Sequence, residues 1–112
     1  MSIPQEIAVL STHNILFTQE LHKIRAHLLY YVGLLEDFRN AVIFVSETSN
    51  PVMDSWSEDE KAESKSFLEK ECRNLITEID RLKLNREMQD KRLKNVMDLV
   101  SYVLFLSSRS KY

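Results

Sequence analysis

Apolar residues recur at every third or fourth position from Ile3 to Val45, and Asn14 is the one polar member of the series. The series runs Ile3, Ile7, Leu10, Asn14, Phe17, Leu21, Ile24, Leu28, Tyr31, Leu35, Phe38, Val42 and Val45. It resumes at Leu68, Cys72, Leu75, Ile79 and Leu82, crosses Arg86 and Gln89, and recovers at Leu93, Val96, Val100 and Val103. Such spacing draws an apolar stripe along a helix and gives it a seam to bury against another helix. The expectation is an all-α fold: a long antiparallel two-helix hairpin, coiled-coil-like, with helix 1 over about 3–47, helix 2 over about 57–106 and a loop over about 48–56. The whole of 1–112 reads as this single hairpin.

The punctuation agrees. Ser2 with Gln5 makes a capping box, and Pro4 sits in the first turn, where its missing N–H costs nothing. The weakest stretch of helix 1 is Ser11-Thr12-His13-Asn14, because short polar side chains compete for backbone bonds; a break or bend is conceivable there. Gly33 costs about 1 kcal/mol relative to alanine and should not end the helix. Asn50-Pro51 stops helix 1, since the residue before proline is pushed out of helical geometry. Ser57 then caps helix 2 with Glu60 as its reciprocal partner, and Trp56 is placed to pack back on the helix tips.

A hairpin turning near residue 52 predicts that facing residues have numbers summing to about 104. Leu28 then meets Leu75 or Ile76, Ile24 meets Ile79, and Leu21 meets Leu82 or Lys83. Asn14 falls opposite Gln89 or Asp90 near Arg86, which predicts a polar layer of Asn14, Arg86 and Gln89 that penalises slipped pairings. Leu29, Leu34, Ile43 and Phe44 on helix 1, and Ile76, Leu84, Met88, Met97 and Leu99 on helix 2, lie off the stripe. One two-helix contact cannot cover them all, so exposed apolar strips and a further partner are expected.

Composition sharpens this picture. One glycine and two prolines in 112 residues leave little material for turns, and 44% apolar residues argue against disorder. A net charge of -2 lacks the basic balance that nucleic-acid partners need. Acids Glu58, Asp59, Glu60, Glu63, Glu69 and Glu71 open helix 2, and bases dominate 73–98, an order that complements the dipole of a single long helix. Cys72 is the single cysteine and lies on the stripe, so it reads as a small hydrophobe in a reducing compartment. No basic stretch followed by an apolar core opens the chain, so no secretion signal is read. The most apolar run, Val96–Leu106, contains Asp98 and would rise only ~16 Å as a helix, about half a hydrocarbon core. With the basic tail Arg109/Lys111 it would anchor poorly, so no complete membrane span is expected.

Candidate chemistry is sparse. His13, His22 and His27 are not three or four apart, as two ligands on one helix face must be. Glu36-Asp37 and Asp54/Glu58/Asp59/Glu60/Glu63 suit diffuse cation attraction at most, because neighbouring helical residues diverge. No nucleophile-elbow spacing or glycine-rich loop is present. The expectation is a non-enzyme with no catalytic, cofactor-binding or metal-ligating residues and no cofactor.

Three stretches resemble the cytosolic helices of fungal-type CorA-like magnesium transporters: Leu21-His-Lys-Ile-Arg-Ala-His-Leu-Leu-Tyr-Tyr, Leu34-Leu-Glu-Asp-Phe-Arg, and Asn85-Arg-Glu-Met-Gln-Asp-Lys-Arg-Leu-Lys-Asn-Val-Met-Asp-Leu-Val100. The resemblance covers about 20–100 and is most specific in the last stretch, which is similar to the stalk helix approaching the membrane. In that family the stalk leads to two transmembrane helices and a Gly-Met-Asn signature, in a pore of five subunits. This chain has no Gly-Met-Asn, so no pore residue carries over. The resemblance implies a helical interaction or oligomerisation segment, truncated and not transport-competent alone, either cytoplasmic or at the cytosolic face of a membrane. Its partners would be a second copy or a related CorA-like chain. The alternative is a free-standing coiled-coil interaction module unrelated to metal transport.

Overall fold

The computed structural model describes residues 2–109, leaving aside the side chains of Ile7 and Ser11. Two α-helices flank a 3-10 turn: α1 spans Ile3–Glu47, the turn spans Pro51–Ser55, and α2 spans Glu58–Arg109. The fold is the all-α helical hairpin that the stripes predict. Helix α1 has the expected bounds, and α2 runs about one turn beyond 106. Among the described residues there is no strand.

The capping box of α2 forms as read, and that of α1 forms in part. The Gln5 side-chain oxygen accepts from the Ser2 backbone N–H and from its hydroxyl, each at 3.2 Å. At α2 the box is reciprocal: Ser57 Oγ accepts from the Glu60 N–H, and Glu60 Oε2 accepts from the Ser57 N–H, both at 3.3 Å. The polar stretch 11–14 does not interrupt α1, and the Thr12 hydroxyl instead donates to the Ala8 carbonyl at 2.9 Å. Helix α1 also passes through Gly33 unbroken. The 3-10 turn was not read from the sequence, although its signal was present. Asn50 is extended, its Oδ1 accepts from the Val52 N–H at 3.1 Å, and Pro51 follows in the first helical position.

The chain divides into two compact units, 31–85 and 2–30 with 86–109. In the first, Val42, Cys72 and Ile79 form the buried cluster, with Leu35 and Ile76 packed against it. Ile79 is 3% exposed and Cys72 5%, so the thiol acts as the small hydrophobe its place on the stripe suggested. In the second unit Leu21, Leu28 and Met97 are buried. Ile76 and Met97 are therefore seam residues, against the expectation that they lie off it.

Two expectations about pairing are overturned. The first is register. Arg39 pairs with Asp80 at 2.9 Å and Glu36 with Lys83 at 2.7 Å in one unit; Arg25 pairs with Asp90 at 2.7 Å in the other. The residue numbers of these pairs sum to between 115 and 119 rather than to 104. The cause lies at the elbow. The segment 48–54 does not turn tightly but lies against the first turns of α2, where Ser49, Met53 and Asp54 share a concavity with Lys61, Ser64 and Leu68. Leu35 and Ile76 both pack against the Val42, Cys72 and Ile79 cluster. The same shift removes the three-residue polar layer. Arg86 does reach Gln89, at 3.0 Å within α2, but Asn14 is eleven positions before Arg25 and so lies level with the neighbourhood of Ser101.

The second correction concerns which side of each stripe is buried. On α1 the row Asn14, Leu21, Leu28, Leu35 and Val42 enters the seam as expected. Its companion row is not Phe17, Ile24, Tyr31, Phe38 and Val45 but the residues one position later: Thr18, Arg25, Val32, Arg39 and Ser46. On α2 the companion row is likewise Ile76, Lys83, Asp90, Met97 and Leu104, in place of Leu75, Leu82, Gln89, Val96 and Val103. Arginine and lysine stems can cover a seam while their heads reach carboxylates, and the three interhelical ion pairs occupy these rows or their neighbours.

Candidate functional site

Because one residue step turns a helix by about 100°, moving each companion row by one position divides the surface into two kinds of face. Viewed down an antiparallel pair, advancing sequence rotates clockwise on one helix and anticlockwise on the other. The rows that precede the buried companion rows therefore emerge on the same side of the pair, and the ion pairs lie on the other.

In the unit 31–85, the ion-paired side carries Arg39–Asp80 and Glu36–Lys83. Glu36 accepts a hydrogen bond from the Lys83 ammonium, and that bond, then the nearby positive charge, holds its carboxyl below the ordinary 4.5. The opposite side is open, with an apolar row on each helix and Glu71 and Glu78 between the leucines of α2. Tyr31, Phe38 and Val45 stand at seven-residue intervals along α1 and are each about half exposed (51%, 51% and 50%). Leu68 and Leu75 continue the surface on α2, at 37% and 44%, with Leu82 half-buried at the next interval. Leu34 and Ala41 widen it on α1, both exposed.

The unit of 2–30 and 86–109 repeats the arrangement. Arg25–Asp90 lies on one side, while Ile3, Leu10, Phe17 and Ile24 of α1 and Val96 and Val103 of α2 stay exposed on the other. The expected apolar strips are therefore present, and they include residues the stripe had assigned to the seam. Leu29, Leu34, Phe44, Leu84, Met88 and Leu99 are exposed as predicted, whereas Ile43 is half-buried.

A second apolar feature lies at the elbow of the 31–85 unit. Trp56, Phe67 and Ser64 line an open concavity of about 630 Å³ whose rim carries Glu60 and Glu63. Phe44 and Phe67 are about two-thirds exposed, and Trp56, 41% exposed, shares a concavity with Phe44, Phe67 and Leu68 at the helix ends.

The candidate polar residues are dispersed. His13, His22 and His27 are exposed, Asp37 projects to solvent, Glu60 is engaged in its cap, and Glu58 lies 3.7 Å from Lys61. Among the described residues, no three or more histidine, cysteine, aspartate or glutamate side chains are grouped to hold a metal ion. On α2, Glu78 accepts from the Arg81 guanidinium, which lowers the carboxyl pKa and raises that of the guanidinium. No described helix is long and apolar enough to cross a membrane. Arg109 lies over the Phe105 ring at 5.7 Å, and Lys111 of the basic tail falls outside the described residues. No family model, curated protein or solved structure matches the chain.

Proposed function

We propose that the chain is a non-catalytic helix-association segment, of the kind its resemblance to the cytosolic stalk of CorA-like magnesium transporters implies, and that its apolar side is the working surface. It would act in the cytoplasm or at the cytosolic face of a membrane, bound to a second copy or to a related CorA-like chain. The observation that carries this reading is the row Tyr31, Phe38 and Val45, exposed at heptad spacing beside Leu68 and Leu75. Surface leucines scattered singly need no explanation, but a periodic row on each of two neighbouring helices forms a strip, and strips of this kind mark contacts. Only another helix follows a seven-residue repeat for several turns.

The test is mass by light scattering of the purified chain, alone and co-expressed with a full-length CorA-like transporter. A species heavier than the 13.2 kDa chain is expected in at least one case, and Phe38→Glu with Leu75→Glu should abolish it. A mass of 13.2 kDa in both cases would sink the reading.

A further inference from the structure

We infer that the open side of the 31–85 unit receives a basic amphipathic helix from another protein, its apolar stripe laid between the exposed rows of α1 and α2 and its lysines or arginines along the α2 flank. The inference rests on the association reading above and adds the chemistry of the occupant.

The groove has the length of a short helix. Tyr31, Phe38 and Val45 border it on α1 and Leu68, Leu75 and Leu82 on α2, each row at seven-residue intervals. Either row extends ~21 Å along its helix, so a partner of about four turns covers it. At the elbow the apolar surface continues, because Val45 and Leu68 also line a concavity of about 570 Å³ with Phe44, Trp56 and Phe67.

Charge decides what covers this surface. On the ion-paired side, acids and bases meet across the two helices, as Arg39–Asp80 and Lys83–Glu36. On the open side α1 offers no charge, since its rows are Tyr31, Phe38 and Val45 with Leu34 and Ala41. Helix α2 offers carboxylates. Glu71 and Glu78 stand seven residues apart, each three beyond one leucine of the row and four before the next. Among the described residues Glu71 has no ion pair, and Glu78 is held by Arg81 of its own helix. The dipole of α2 accounts for Glu58, Asp59 and Glu60 in the first turn, but its effect fades within that turn and does not reach Glu71 or Glu78. Carboxylates at heptad spacing beside a leucine row form the flank that pairs with lysine or arginine on a facing helix.

The elbow repeats this chemistry. Glu60 and Glu63 edge the concavity that Trp56 and Phe67 share, whereas the nearby Lys61 and Lys65 line a separate one with Ser46 and Glu47. A cationic side chain near the end of the incoming helix thus finds two aromatic rings and two carboxylates together, a cation–π setting. A second copy does not meet this demand. Against Glu71 and Glu78 it sets either the uncharged α1 row or the same two carboxylates.

The test uses two synthetic peptides of about 15 residues without tryptophan, each with leucine at heptad positions a and d; one carries lysine and the other glutamate at e and g. Each is added to the full chain, and binding is read from the anisotropy of a dye on the peptide and from the emission of Trp56, the chain's single tryptophan. The lysine peptide should bind at least roughly ten-fold more tightly than the glutamate peptide, and its binding should weaken several-fold as salt rises from about 0.05 to 0.5 M. Glu71→Lys with Glu78→Lys should reverse the preference, and Phe38→Glu should remove binding of both peptides, with circular dichroism checking that each variant keeps its helices. Equal binding of the two peptides to the natural chain, or a preference that the charge reversal leaves unchanged in a folded variant, overturns the basic-helix assignment and leaves the association reading standing. So does a chain that binds neither peptide but exceeds 13.2 kDa by light scattering, alone or with a CorA-like transporter. A chain that binds neither peptide and stays at 13.2 kDa in both settings overturns both.

Discussion

At Gly33 the absent side chain has no visible use. The residue lies inside α1 with negative φ, and a Cβ there would meet nothing within 4 Å. Gly33→Ala should therefore stabilise the protein by about 0.5–1 kcal/mol, read from urea unfolding; a loss would mean that the position faces a partner too closely for a methyl group. Ile79 has the opposite character. It is the most buried side chain of its cluster, and Ile79→Ala should cost about 2–5 kcal/mol by the same measurement. Glu36 gives the acid response a direction. Its folded pKa is lowered by the Lys83 hydrogen bond, so the stabilisation it supplies is complete above the ordinary carboxylate pKa and is lost as pH falls through the lowered value. Glu36→Gln should flatten that part of the stability profile below about pH 4.5, while leaving the slope above pH 6 unchanged.

The helices themselves were legible because capping and proline chemistry are local. Ser2 with Gln5, Asn50-Pro51 and Ser57 with Glu60 each act within three residues; the Ser57–Glu60 box forms as read, Gln5 reaches back to Ser2, and Asn50-Pro51 follows the end of α1 while also opening the 3-10 turn. Register was not legible, because it depends on where ten residues of connection lie. Their count suggests a tight turn, whereas Asn50 and Pro51 start a 3-10 helix that lies along α2. The buried companion row was not legible for a different reason. Each helix carries an apolar stripe wider than one seam, and periodicity cannot say which edge is used when the competing row holds Arg25, Arg39 and Lys83 with partners across the gap. This account makes the ion pairs part of the register. Arg39→Asp should cost about 0.2–1 kcal/mol or somewhat more from like-charge repulsion, and Arg39→Asp with Asp80→Arg should recover most of it. If the double variant is no better than the single, the Arg39–Asp80 contact does not set the pairing.

Within each of the two units, the division into an ion-paired side and a side with exposed apolar rows matters more than any single residue. The candidate surface was legible as a surplus, since Leu34 and Leu29 could not fit one seam, but its main constituents were misassigned to the interior. Phe38 and Tyr31 are the instructive cases: they have the spacing of seam residues, and on the proposed reading their seam is with a helix that this hairpin does not itself supply. It follows that stability should depend on the concentration of that helix. Thermal unfolding of the natural chain should rise in midpoint as the lysine-flanked peptide is added, and Phe38→Glu with Leu75→Glu should remove that dependence. A midpoint that is constant over roughly a hundred-fold range of peptide would count against a basic helix on this side.

Cys72 offers a further use of the same construction. It is the chain's single thiol, it is buried in the Val42–Ile79 cluster, and no described disulfide occupies it. A labelling reagent can reach its sulfur only when α1 and α2 separate at that level, so the reaction rate clocks the opening of the 31–85 unit without any engineered probe. Covering the apolar side should slow that clock, whereas breaking Arg39–Asp80 should quicken it.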